Sequence, residues 1–256
     1  MAPLSVDVDW SLIAKLREHE IEEARTLQRA LVPEEPLRAG PLEVASLFRP
    51  ADCVGGDFLD YFCLSDGNVG LYVGDVVGKG LPAALYAALA VGTLRGIHKT
   101  GQQPGAVLAL LNSRLRTRAL RGRYCAVQYA LFDRATRQLC FANAGLPGPL
   151  HLSARGCSEP RSGGLPSGLF DGSDYAEHRL ELQPGDSVLF FTDGVTDARN
   201  TRDEEFGLEG LLEVCSRLRN NSAADLLGEI FAAVDEFAGS RAQHDDMAAA
   251  VLRLRP

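Results

Sequence analysis

An α+β fold, with helices laid over a sheet or sandwich rather than alternating with strands, is predicted by three observations. Strand-like runs follow one another in meanders, helical runs arrive in pairs between them, and short turns rather than long crossovers join the strands.

Residues 8–31 favour a helix, with Ile13, Leu16, Ala24, Leu27 and Leu31 forming a rough apolar stripe among Glu, Lys and Arg. Such a stripe suits a helix packed on the domain behind it, or one that dimerises or couples a signal. Pro33 and Pro36 in VPEEP stop it, because proline cannot continue a helix.

Strands dominate from Leu42. LEVASLF, DFLDYFCL and NVGLYVGDV come first, with SDGN as a hairpin-type turn between the last two. Helices are predicted over 82–98 and 104–120, the second with Val107, Leu110, Leu111 and Leu115 on its apolar side. The strands YCAVQYALFD, QLCFANA, GPLHLSA, AEHRLEL and SVLFFTD follow, QPGD turning the chain between the last pair. Helices return over 208–218 and 223–237, where Ser222 is placed as an N-cap with Asp225 three residues on. MAAAVLRL closes the chain as a strand. No repeat or low-complexity tract interrupts this order, so one domain over residues 35–256 is expected behind a helical segment at 1–34.

Composition narrows the function classes. Acids outnumber bases 34 to 26, giving a net charge of −8, so no general electrostatic footprint for nucleic acid is present. Such a balance suits a solvated acidic surface or a site that gathers carboxylates around a cation. The longest apolar run, residues 81–94, contains Gly92 and ends at Arg95, too short to span a bilayer, so no membrane is expected. The six cysteines include no C-x-x-C pair and the start MAPLSVDVDW lacks signal-peptide regions, which predicts reduced thiols and a cytoplasmic location.

GDVVGKG, residues 74–80, has the strand, glycine turn, lysine and helix order of a phosphate loop. A phosphate loop needs four residues between its glycines and a hydroxyl after the lysine. Here three residues separate Gly74 from Gly78, and Gly80 follows Lys79, so the nucleotide reading loses its defining parts. What remains is Asp75 at the end of an apolar strand. Asp57 in VGGDFLD, Asp193 in LFFTDGVTD, and Asp245 and Asp246 in QHDDM share that context. Carboxylates converging at strand ends repel one another unless they share protons or bind a cation. Ligation by carboxylates without His or Cys selects hard metals such as Mg²⁺ or Mn²⁺, and two-metal carboxylate sites suit phosphate ester hydrolysis. No C-x5-R cysteine and no G-x-S-x-G elbow offers a covalent nucleophile instead.

RPADCVGGDFLD, GDVVGKGLPAAL, FANAGLPGPL, LFFTDGVTDARN with EEFGLEGL, and HDDM occur in an order that resembles PPM-type, protein-phosphatase-2C-like serine/threonine phosphatases. The match is to their bacterial SpoIIE/RsbU-like branch, over roughly residues 25–254. The resemblance implies a central antiparallel β-sandwich flanked by helix pairs, with two Mn²⁺ or Mg²⁺ ions at one edge. It implies Asp57 bridging both metals, Asp75 and the backbone carbonyl of Val76 beside it, and Asp193 and Asp245 completing the set, with Asp246 as alternate. Arg49 and Lys79 are candidate phosphate contacts, and Asp60 and Asp197 candidate outer acids. The implied partner is a phosphorylated regulatory protein, such as an anti-sigma-factor antagonist, with a homodimer through the N-terminal helix. Two departures, Leu146 where ANAGH is usual and Ala248 where Thr is usual, open the alternative of a regulatory binding module with weak or no turnover.

Overall fold

A computed structural model of the protein describes residues 10–98 and 101–256. Helix α1 (Trp10–Arg29) is followed by β1 (Leu37–Ala39), β2 (Leu42–Arg49), β3 (Phe58–Cys63) and β4 (Val69–Val76). Next come α2 (Gly80–Ile97), α3 (Pro104–Thr117), β5 (Cys125–Asp133), β6 (Gln138–Ala144), β7 (Leu150–Ser153) and β8 (Gly156–Ser158). The chain ends with β9 (Glu177–Glu181), β10 (Ser187–Phe191), a 3₁₀ turn at Asp193–Val195, α4 (Gly207–Leu218), α5 (Ala223–Ala238) and β11 (Met247–Leu254). Residues 8 and 9 of the expected first helix, and the side chain of Ile13, lie outside what is described.

Two antiparallel sheets face each other, in the orders β1-β2-β11-β10-β7-β8 and β3-β4-β5-β6-β9. Between them, side chains including Val44, Leu71, Val73, Phe141, Phe190 and Leu252 form a continuous apolar layer. Helices α2 and α3 cover the outer face of the five-stranded sheet over Tyr72, Val127 and Tyr129. Helices α4 and α5 cover the six-stranded sheet over Leu189, Phe191 and Val251. The result is the α+β sandwich flanked by helix pairs that the sequence predicts, in four layers.

Both faces of the central strands are therefore buried, which is why β4 and β11 read as continuous apolar runs instead of alternating. Successive side chains still point to opposite faces. In β4, Val69, Leu71 and Val73 enter the inter-sheet layer, while Tyr72 and Val76 meet the helices.

Several boundaries move. Helix α3 stops at Thr117 rather than 120, and β1 and β8, three residues each, were not foreseen because strands so short carry no readable period. Ser222 caps α5 as expected, its Oγ accepting from the Asp225 N–H at 3.2 Å. Helix α2 is longer than the apolar run read from the sequence, and its 18 residues satisfy length and composition for a membrane span. It is nonetheless a core helix along one face: Ala83, Tyr86, Ala87, Ala90, Val91, Leu94 and Ile97 are buried.

Candidate metal-binding active site

Pairing between β3 and β4 sets Phe58 opposite Gly74, so the next step along the hairpin places Asp57 across from Asp75. Strand parity then fixes where these acids point. Leu59 lies in the inter-sheet layer, as does Val73, so Asp57 and Asp75 continue that same face past the end of the apolar core. On the opposite sheet Phe190 and Ala248 also face inward, which gives Thr192 and Asp246 the same direction. Acidic side chains from both sheets thus gather at one edge of the sandwich.

The contacts agree with this placement. Asp57 is buried, and its Oδ2 accepts a hydrogen bond from Thr192 Oγ1 at 2.6 Å. Asp246 Oδ1 accepts from the Ala51 N–H and Oδ2 from the Gly56 N–H, both at 2.7 Å. The β10–β11 register runs on through Thr192 opposite Ala248 and brings Gly194 against the Asp246 carbonyl. A Cβ at position 194 would stand 1.9 Å from that oxygen, so only glycine permits the approach. Gly56 likewise lies against the Val76 carbonyl oxygen, 2.8 Å from where a Cβ would sit, which brings that oxygen beside the Asp57 turn.

Electrostatics set these acids apart from ordinary turn aspartates. Burial is the main cause pushing the Asp57 carboxyl well above the usual range, helped by the charges of Asp75 and Asp246 and opposed by the Thr192 hydroxyl. Asp75 is pushed up to about 7, first by burial and next by the charge of Asp193, with Asp245 and Asp246 adding to it. Asp193 is raised by burial, then by Asp197 and Asp245. All four acids expected to bind metal, together with Asp246, therefore belong to one interacting group.

Among the described residues, no three Asp, Glu, His or Cys side chains are preassembled as a finished metal cage. The donor chemistry nevertheless fits hard divalent cations, since the cluster offers only oxygens, and its raised carboxyls favour any cation that replaces their protons. The neighbouring acids divide by geometry. Both Asp246 oxygens are occupied by backbone N–H groups, whereas Asp245 is part-exposed and meets Lys79 Nζ at 3.3 Å. Lys79 also donates to the His244 carbonyl, tying the β4–α2 turn to the loop before β11.

Other candidates are placed elsewhere. Arg49 pairs with Asp235 on α5 at 2.9 Å and lies 5.2 Å above the Phe231 ring, so its guanidinium is engaged by α5. Asp60 accepts from Arg95 Nε at 2.7 Å and from Tyr72 Oη at 3.2 Å, a link between sheet and helix. Asp197 lies beside Asp193, its Oδ1 accepting from Thr196 Oγ1. The Leu146 side chain fills the inter-sheet core while its N–H and carbonyl bond the Asn143 amide. Ala248 is also core, and its N–H donates to Thr192 Oγ1 at 2.9 Å. The hydroxyl that reaches Asp57 in this chain is supplied by Thr192.

Three contributing residues were missed from the sequence. Thr192 stood in plain view before Asp193, and strand parity alone would have aimed it inward. Gln28 on α1 clamps the glycine turn, donating through Nε2 to the Gly55 carbonyl at 2.6 Å and accepting its N–H at 3.0 Å. Arg123 donates to the Val77 carbonyl at 2.8 Å. Neither long-range contact has a local sequence signal.

Comparison with known proteins adds a family. Residues 65–255 match the family model described as Stage II sporulation protein E (SpoIIE). The chain is 27% identical over 240 residues to the phosphoserine phosphatase RsbU of Bacillus subtilis (strain 168), covering 91% of this chain and 70% of that one. Its fold is similar to the SiaA-PP2C domain of Pseudomonas aeruginosa, with a TM-score of 0.85 at 24% identity over 96% of this chain and 99% of that one. The catalytic domain of the serine/threonine phosphatase PstP, solved with two manganese ions, shares the fold with a TM-score of 0.61 at 14% identity, over 84% and 99% of the two chains.

Proposed function

The chain belongs to the Stage II sporulation protein E family of PPM-type phosphatases, and from that premise we propose that it hydrolyses phosphoserine or phosphothreonine on a regulatory protein. The cofactor in this proposal is a pair of divalent cations, Mn²⁺ or Mg²⁺, held by Asp57, Asp75, Asp193, Asp245 and the Val76 carbonyl. Two such ions supply Lewis acidity to water and to phosphoryl oxygens, which suits direct displacement without a covalent enzyme intermediate.

The observation that carries the proposal is the convergence of acids from four chain segments into one mutually repelling cluster. The chain's own groups each have a task. Thr192 fixes the rotamer of Asp57 through the 2.6 Å bond to Oδ2 and leaves Oδ1 for a ligand. Asp246 ties the Ala51 and Gly56 turns to β11, which holds Asp57 in place. Lys79, beside Asp245, is the basic group assigned to an incoming phosphate, and Arg49 contributes only if it leaves Asp235. Supporting parallels are the phosphoserine phosphatase RsbU and the manganese-bound PstP. A cytoplasmic setting and a partner of the anti-sigma-factor-antagonist kind complete the proposal. The helical segment at 1–34 acts in it as a dimerisation or signal-coupling element ahead of the domain at 35–256. A binding module without turnover has less to support it, because Leu146 and Ala248 are core residues and Thr192 supplies the hydroxyl at Asp57.

The test is hydrolysis of an aryl phosphate with Mn²⁺. Expected outcomes are loss of turnover on chelation and a fall of more than about 100-fold in Asp57→Asn and Asp193→Asn, beyond what outer-shell changes at metal sites cost. Activity that survives either treatment overturns the proposal. Metal binding without hydrolysis of any phosphopeptide favours the binding module.

A further inference from the structure

The chain carries eight more acids than bases, yet RLRTRALRGR, residues 114–123, contains five arginines and no acid. This stretch runs from the last turn of α3 through the loop that leads to β5, and it ends beside the turn that follows Asp75. Arg123 donates to the Val77 carbonyl at 2.8 Å, and the Val77 N–H donates to the Tyr124 carbonyl at 3.1 Å. Val77 is two residues from Asp75. Two more residues on, Cys125 pairs with Val76 in the ladder. The loop is thus fastened to the rim of the candidate site.

Two of the five arginines are committed to structure. Arg123 holds the turn, and Arg116 grips Asp171 in a fork at 2.7 and 2.8 Å. Arg114, Arg118 and Arg121 are exposed and make no ion pair among the described residues. Arg114 lies in the last turn of α3, Arg118 is the residue that ends the helix, and Arg121 follows in the loop. Leu120 in the same loop, and Phe170 on a loop tied to α3 through Asn112 and Arg116, add exposed apolar surface, 58% and 50% accessible. An unpaired basic strip with exposed apolar side chains, on an otherwise acidic molecule, has the chemistry of a docking surface for an acidic chain.

We propose that Arg114, Arg118 and Arg121 dock an acidic stretch flanking the phosphorylated residue of the protein substrate. The inference rests on the phosphatase reading of the adjacent cluster and specifies the partner's chemistry. The net charge of −8 disfavours an acidic partner on the molecule at large, so a local run of exposed arginines orients as well as attracts it. Arg123 fixes the loop to the turn after Asp75, so an occupant of the strip is led to the cluster.

The experiment measures binding apart from turnover. Fluorescently labelled phosphoserine peptides, one with acidic and one with neutral flanks, are titrated by anisotropy with metal-free protein spanning residues 1–256. The wild type is expected to bind the acidic peptide about tenfold more tightly, roughly twofold per exposed arginine contact, with the advantage shrinking as salt rises. The triple change Arg114→Ala, Arg118→Ala, Arg121→Ala is expected to abolish the preference, and Lys at all three positions to retain most of it. Equal binding of the two peptides by wild type, or a preference that survives the triple Ala change, overturns the inference. So does a short single-stranded DNA of equal charge that competes as well as the acidic peptide. Aryl phosphate turnover with Mn²⁺ is assayed on the same preparation. Its absence alongside a clear peptide preference overturns the phosphatase reading and leaves the docking surface standing.

Discussion

Asp246 holds two backbone N–H groups at 2.7 Å, while the side chain of its neighbour Asp245 accepts from the Asp246 N–H at 3.0 Å and faces Lys79. Replacing Asp246 with Ala strands one part-buried and one buried donor, at about 1–3 kcal/mol each. Relief of the repulsion within the acidic cluster offsets part of that. A net loss of roughly 2 kcal/mol is expected for Asp246→Ala in metal-free protein, read by denaturant unfolding. Asp245→Ala should stay within about 0.5 kcal/mol of wild type, as a surface change does, yet lose Mn²⁺ affinity by calorimetry. The reverse pattern would assign the metal to Asp246. The sequence made the acids visible by their place at the ends of apolar strands, and the resemblance ordered them. It could not separate Asp245 from Asp246 physically, because the partners of Asp246 lie some 190 residues away at Gly56 and 195 away at Ala51.

At the level of elements, the site depends on how closely β10 and β11 run where they leave the sheet. Gly194→Ala would drive a Cβ to 1.9 Å from the Asp246 carbonyl oxygen, a backbone atom that cannot swing aside. Overpacking of this kind costs about 1–3 kcal/mol and occasionally more, so at least about 3 kcal/mol is expected. For a chain of this size that lowers the melting temperature by roughly 6–12 °C, together with loss of turnover. Gly163→Ala, where an added Cβ meets nothing within 4 Å, is the control and should leave both unchanged. A Gly194→Ala variant that melts with wild type shows that the close approach is not required. Most elements were legible because the paired helices and turn sequences gave strong local signals. Strands β1 and β8 were not, since three residues show no period, and the end of α3 was overestimated because arginines that favour helix continue into the loop.

For the whole molecule, the open question is what α1 does. The helix is mostly exposed, with Leu16 54% and Leu27 71% accessible, and its main tie to the domain is near its end. There Gln28 clamps Gly55, two residues from Asp57, and Arg95 Nη2 donates to the Leu31 carbonyl at 2.8 Å. Of the apolar positions expected on this helix, Leu16 and Leu27 are exposed on one side, while Ala24 is half-buried and Leu31 packs on the core beyond the helix end. The exposed pair, and a hydrogen-bonded end touching the acid-bearing turn, suit an element that joins two copies and reports to the site. Light scattering is expected to give a dimer for residues 1–256 and a monomer for residues 36–256. Gln28→Ala separates the two roles, since it keeps the stripe and removes the clamp. It should remain dimeric while binding Mn²⁺ several-fold more weakly, because the Gly55–Asp57 turn loses two side-chain hydrogen bonds of about 1 kcal/mol each. If both lengths of chain are monomers, the stripe is not a dimer seam. If Gln28→Ala binds Mn²⁺ as wild type does, the helix end holds the turn without influencing the acids.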